Sequence, residues 1–331
     1  LLIGLNWGGL VINTLYVVGN GFDIAHGLNT NYWGLRNYIE QQDPDFMRFF
    51  EGLYNIQPLD DTEPWYTERA QKRWDESVNH SLWSEFEKTM GMPNTEEMLE
   101  LSVSVTEGMP NVGVKYHMDL YWKDHFGFVS RLQNYVREWI ELIDTSTTKC
   151  KVSSLLNSDD IFLNFNYTDV LENVYNIEKV CHIHGGVKSI CKISPMLGHC
   201  NKKDIQKHRQ WAKEAEKEFA ETEASIQDAV ANYLEEIYKD TSQQIFVNKQ
   251  FFDKLKSIEH IIIIGWSAGE ADIPYLQEII RKVDPKTKWT VYWYDDVAYK
   301  ALTAAFNQEG ITDKNIIEYK NSGEFWINKH V

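Results

Sequence analysis

The sequence predicts an α/β fold built on a doubly wound parallel sheet, with large helical insertions. Three observations carry that expectation. Short β-rich runs recur along the chain, and each ends in small or polar residues. Two of them, "IFLNFN" (161–166) and "HIIIIG" (260–265), are apolar without alternation, as expected for parallel strands covered on both faces. Helical patterns follow most of the runs, and that alternation is the mark of a doubly wound sheet.

In order, the expected strands are Leu15–Val18, Ile161–Phe165, Lys179–Ile183, His260–Ile264, Trp289–Tyr294 and Asn315–Tyr319. The helices expected after them are Val170–Asn176, Asp272–Lys282 and Val297–Phe306. Two long stretches interrupt the alternation. In the first, Leu82, Phe86 and Met90 share one helix face, and Leu132, Tyr135, Val136 and Trp139 share another. In the second, Trp211, Ala215, Phe219, Ile226, Val230, Tyr233 and Ile237 form an apolar stripe at helical spacing. Both read as helical packing that walls a site on the sheet. The resulting organisation is a single α/β domain over 14–331, with its core in 14–27, 159–200 and 259–331. Helical insertions occupy 28–158 and 201–258, and residues 1–13 are an N-terminal extension.

Composition narrows the function. Hydrophobic residues make up 43% of the 331, enough for a sizeable core. Lys and Arg number 33 against 49 Asp and Glu, a formal charge of −16. Bulk acidity supplies no counterion-release affinity, and no long basic run is present, so nucleic acid and anionic membranes are poor partners. Four cysteines in a chain of this length do not make a secreted disulfide framework. The start, "LLIGLNWGGLVIN", lacks leading basic residues, and no run approaches the ~20 apolar residues of a membrane span. The expected location is cytoplasmic.

Four strand ends carry polar or glycine-rich groups. Gly19-Asn20-Gly21 follows the first strand, with Phe22 and Asp23 next. Glycine there permits close approach of backbone N–H groups to a phosphate, but the sixth position of a G-x-G-x-x-G pattern is Ile24, so a plain β-α turn capped by Asp23 is an equal reading. Asn164 and Asn166 close the second strand, where a carboxamide offers a ligand both donor and acceptor, or simply caps a turn. His184-Gly185-Gly186 closes the third, placing a proton-moving side chain where such folds bind ligands. Gly265-Trp266-Ser267-Ala268-Gly269 closes the fourth and matches G-x-S-x-G, the nucleophile elbow of serine hydrolases. With Asp295 or Asp296 and His330 it completes an esterase order, although Pro274 implies a loop where the elbow needs a helix. Cys181, His182, His184, Cys191, His199 and Cys200 form a Cys/His-rich window, but it contains no C-x₂₋₄-C pair and no metal is expected.

Together "LYVVGNGFDIAHGLNTNY", "LWSEFEKTMG", "FLNFNYTDVLE", "HIHG", "MLGH" and "IIIIGWSAGEADIPYLQEI" resemble the AbiH family of bacteriophage abortive-infection proteins. That family is in turn similar to the sirtuin-like class of NAD-binding and NAD-cleaving domains, with a Rossmann-like sheet. The resemblance implies an anti-phage effector that binds NAD+, or a related nucleotide, and hydrolyses its N-glycosidic bond. Asn166 and His184 would be catalytic. Gly19, Asn20, Gly21, Phe22, Asp23, Gly185, Gly265, Ser267 and Asp272 would contact the dinucleotide. Asp23 stands where the pattern usually has Ser, and Thr168 where the closer NADases have Asp. The four-cysteine zinc module of deacetylating sirtuins is missing, so deacetylation is not expected. Asp23 is assigned to a ribose hydroxyl or a helix cap, His26 to packing, and Glu87 to a charge partner or a site role. Expected partners are the dinucleotide, a phage trigger or defence protein, and a second copy of the chain. A serine esterase using Ser267, and a non-catalytic nucleotide sensor, are the alternatives.

Overall fold

A computed structural model describes residues 14–60, 62, 66–96, 98, 114–127, 129–151, 156, 160–187 and 193–327. The described residues include a six-stranded sheet: β1 (Thr14–Val18), β2 (Ile161–Asn164), β3 (Val180–His182), β4 (His260–Ile264), β5 (Lys288–Trp293) and β6 (Ile317–Asn321). Its order is β3-β2-β1-β4-β5-β6, and every neighbouring pair is parallel. The chain therefore builds outward on one side of β1, then crosses over and builds outward on the other. The reversal falls between β1 and β4, and a doubly wound sheet opens its ligand crevice at such a reversal, beyond the carboxyl ends of the strands.

The unbroken apolar runs have a direct cause. Alternate residues of each strand enter cores on opposite faces. Leu15, Val17, Ile161, Leu163, Ile261, Ile263, Trp289 and Val291 pack on one face, and Tyr16, Val18, Phe162, Ile264 and Tyr292 on the other. With no wet face left, no polar alternation survives. The helix Ile273–Lys282 buries Tyr275, Leu276 and Ile279 and carries Pro274 in its first turn, where a missing N–H costs nothing. The helix Asp296–Gln308 begins at Asp295, whose carboxylate accepts from the Ala298 amide at 2.8 Å.

Two compact units result. One comprises Leu1–Asn31, Arg137–Met196 and Asp240–Val331 and contains the sheet; the other comprises Tyr32–Val136 and Leu197–Lys239. The sheet unit takes in more helix than the boundaries 28–158 and 201–258 suggest. Phe251, Phe252 and Leu255 join the core that covers the sheet.

The second unit is helical throughout its regular segments. Leu82, Phe86 and Met90 are all fully buried, as their shared face predicts. Leu132 and Val136 are buried as well, as is Trp139 in the sheet unit. The stripe expected over 211–237 is interrupted. The helix Lys202–Lys217 ends before Phe219, which adopts a left-handed φ of 60° and is 90% exposed. Trp211 is also exposed, with the Lys207 ammonium 4.3 Å above its ring. Ala215, Ile226, Val230, Tyr233 and Ile237 hold the buried face.

Candidate functional site

The turns after β1 and β4 meet backbone to backbone at the reversal. The Gly19 N–H donates to the Ile264 carbonyl at 3.0 Å, and the Gly21 N–H to the Gly265 carbonyl at 2.8 Å. The Phe22 N–H donates to the Gly19 carbonyl at 2.9 Å. A Cβ on Gly19 would lie 2.6 Å from the Gly265 oxygen, and one on Gly21 2.8 Å from the Gly265 Cα. Gly265 itself has φ +69°, and a Cβ there would lie 2.3 Å from the Phe22 nitrogen. These glycines let two turns close on each other, and three amides of the first turn are already bonded to backbone.

The second strand end reaches into the same place. Asn164 accepts the Asn166 amide at 3.1 Å and so makes the local turn. That leaves the Asn166 side chain to cross to β1: its Nδ2 donates to the Gly19 carbonyl at 3.1 Å and to Asp23 Oδ1 at 2.9 Å. Thr168 Oγ1 donates to Asp23 Oδ2 at 2.5 Å. Asn166 is 5% exposed, and its Oδ1 accepts no hydrogen bond from the described residues. With both donor contacts of the carboxamide spent, this buried oxygen is left with acceptor capacity for an O–H or N–H.

Asp23 does not cap a helix. The helix Asn20–Ala25 is capped at Gly19 with no side-chain bond, and Asp23 lies within it. Its carboxyl is 1% exposed. Burial pushes it up to about 7, against the pull of the Thr168 and Asn166 hydrogen bonds and of His182. His26 packs, as expected: its ring bonds the Phe22 carbonyl at 2.7 Å and the Tyr175 hydroxyl at 2.6 Å, and lies against Phe22 and Trp326. The exposed Asn20 exchanges two hydrogen bonds with Thr30.

The third strand end supplies two histidines. His182 pairs with Glu172 at 2.7 Å. His184, also buried, sets its ring edge-on to Phe165 and tilted against Tyr275, with centroids 5.1 and 5.4 Å away. Its Nε2 lies 3.5 Å from Asp272 Oδ1, and Trp266 Nε1 donates to Asp272 Oδ2 at 3.3 Å. Gly185 has φ +76°, and a Cβ there would lie 2.4 Å from the Ser194 carbonyl oxygen. The loop it packs against returns along the site, with Gly186 donating to Ile193 and Met196 to the His184 carbonyl.

Most of the residues singled out from the sequence thus gather at one edge of the sheet. The turn of Gly19–Asp23, Asn166, His184, Gly185, Gly265 and Asp272 are linked by the contacts above, and Ser267 lies on the adjoining loop. Phe165, Trp266, Tyr275 and Thr168 complete the arrangement. The first three read as ordinary core in the sequence, and only their placement beside polar strand ends marks them.

Ser267 has lost the geometry of a nucleophile elbow. It is exposed, and the left-handed residues around it are Gly265 and Ala268. No α-helix starts until Ile273, and Asp295 is spent as a helix cap. His330 lies outside the described residues, as do residues 1–13 and Cys191. In the Cys/His window, Cys181 faces Asn248 at 3.6 Å and His199 bonds the Leu234 carbonyl at 2.8 Å. Among the described residues no three His, Cys, Asp or Glu are grouped to hold a metal ion, and no helix is long and apolar enough to cross a membrane.

Glu87 finds its partner in the helical unit. Its carboxylate receives the Lys239 ammonium at 3.0 Å and the Tyr32 hydroxyl at 3.1 Å, and the Lys239 side chain is fully buried. A nearby glycine, Gly91, packs against the His199 ring, which its hypothetical Cβ would meet at 3.0 Å.

Sheet order and strand-end chemistry define a doubly wound α/β protein whose candidate site lies at the reversal of its sheet. The family model described as "Bacteriophage abortive infection AbiH" matches residues 15–293, and the chain belongs to that family. Membership gives it an anti-phage, abortive-infection role. No curated protein and no solved structure matches the chain.

Proposed function

We propose that this protein acts in abortive infection by binding NAD+ or a related nucleotide at the edge of β1, β2, β3 and β4 and hydrolysing its N-glycosidic bond. The observation that carries the reading is the Asn166 side chain. Its Nδ2 is tied to Gly19 and Asp23, and its buried Oδ1 is an acceptor with no donor among the described residues, while the adjacent Phe165 ring lies 5.1 Å from that of the buried His184.

Such an oxygen suits the hydroxyl of a water or of the ribose. The nucleophilic oxygen, held by Asn166, forms a bond to C1′ as the C1′–nicotinamide bond breaks. The electron pair of that bond leaves on the pyridine nitrogen and neutralises it, and the proton of the water passes to His184. Positioning and proton transfer of this kind are each worth about 10²-fold or more. Asp23 reaches the ligand only through Asn166 and Thr168, which keeps its charge away from a diphosphate.

A second observation supports the same reading. The two departures from the sirtuin-like pattern, Asp23 and Thr168, are hydrogen-bonded to each other. A carboxyl on β1's turn facing a hydroxyl on β2's turn is the same pair of groups with places exchanged.

The test is loss of NAD+ on incubation with the purified chain. Wild type is expected to consume it, and Asn166→Ala and His184→Ala to lose turnover while melting as the wild type does. Normal turnover by both variants refutes the assignment. Tight dinucleotide binding with no product over hours would replace it with the sensing role.

A further inference from the structure

We infer that Asp272 is a positioning residue for His184: its carboxylate holds the imidazole in place and makes it a better proton acceptor. Asp272 ends the short 3₁₀ turn Glu270–Asp272 and immediately precedes the helix Ile273–Lys282. Its amide donates to the Gly269 carbonyl at 2.8 Å, which anchors the residue in the loop after β4. One carboxylate oxygen lies 3.5 Å from His184 Nε2, and the other accepts from Trp266 Nε1. The Trp266 bond stops the carboxylate from swinging away. Phe165 and Tyr275 confine the imidazole ring, whose side chain is only 4% exposed.

The physical need is plain. Burial among aromatic rings disfavours an imidazolium, so a histidine in such a place is a weak base unless a negative charge faces it. Asp272 is that charge, 3.5 Å from Nε2 and so near enough to favour the imidazolium. Among the described residues the Tyr275 phenol, from the helix Ile273–Lys282, also faces His184. Two positions back along the chain, at the end of β3, stands His182, paired with Glu172 from the helix Val170–Tyr175. A ligand contact for Asp272, which the family resemblance implies, is not needed to explain its place.

The inference rests on His184 being the base of the proposed reaction, but its first test does not. The His184 ring is titrated by NMR on histidine-labelled full-length protein, with His184→Gln assigning the signal. Asp272→Asn should lower the His184 midpoint by about one pH unit or more, the size expected on losing an adjacent opposite charge. Asp272→Ser removes the same charge with a residue suited to a helix start, so the measurement does not depend on one substitution folding. Asp272→Glu restores the charge and should restore most of the shift. An unchanged midpoint in a folded Asn or Ser variant overturns the inference.

A second arm reads turnover. The acid limb of kcat/KM for NAD+ should move down by the same amount in Asp272→Asn, with KM little altered. Absence of turnover in the wild type would remove the proposed reaction and leave the titration result standing.

Discussion

Asp23 of the sheet unit is buried differently from the charges buried in the helical unit. In the helical unit the buried Lys239 faces Glu87, and the buried Arg36 faces Glu51 at 2.8 Å and Glu40 at 2.7 Å. In the sheet unit Asp23 is equally buried, yet its hydrogen bonds come from the neutral groups of Asn166 and Thr168. A paired buried charge is a device of packing: its cost is met on the spot, and removing one partner strands the other. A carboxyl held by neutral donors has no opposite charge to offset its burial, so it costs stability while it orients those donors. The difference separates Glu87, whose carboxylate offsets a buried ammonium, from Asp23, which is bonded to Asn166 and Thr168 of the candidate site.

Substitutions sharpen this contrast. The largest effect is expected at Glu87→Ala, which leaves the fully buried Lys239 ammonium without its carboxylate and should cost about 3–5 kcal/mol in denaturant unfolding. Gly265→Ala should cost about 2–4 kcal/mol by the same measurement. It forces a left-handed φ on a Cβ and drives that Cβ into the neighbouring turn.

Asp23→Asn should behave differently from Glu87→Ala. The folded carboxyl lies near 7, above its unfolded value, so its contribution to stability is fully present in acid and is lost as pH rises from about 4 through 7. The wild type should therefore lose on the order of 2–4 kcal/mol relative to Asp23→Asn over that interval. A constant difference between the two proteins from pH 4 to 8 would contradict the assignment. Turnover should fall in this variant even where stability does not. The smallest effect is Tyr32→Phe, which removes one hydrogen bond to Glu87 and should cost about 1 kcal/mol.

What the sequence disclosed follows from the range of each interaction. The strands were legible because burial on both faces leaves continuous apolar runs, and β1, β2, β4 and β5 fall within a residue or so of where those runs place them. Pro274 correctly excluded an α-helix directly after Ser267. The stripe through Trp211 and Phe219 misled, because helical spacing continues through a turn that the backbone does not continue through.

Residue roles set by distant partners were not legible. Asp23 meets Asn166 and Thr168 across more than 140 positions, and Glu87 meets Lys239 across 152, so neither pairing leaves a local pattern. The glycines of the first turn were visible as glycines, but a phosphate cradle and a backbone-to-backbone contact ask for the same residue. Only the order of the strands shows that the turn after β4 presses against them.

The most direct test of the account is the free nicotinamide released from NAD+ by the purified chain, measured by chromatography beside an Asn166→Ala variant of unchanged melting temperature. The account predicts release by the wild type and a loss of about 10²-fold or more in the variant. Equal release by the two proteins would contradict it.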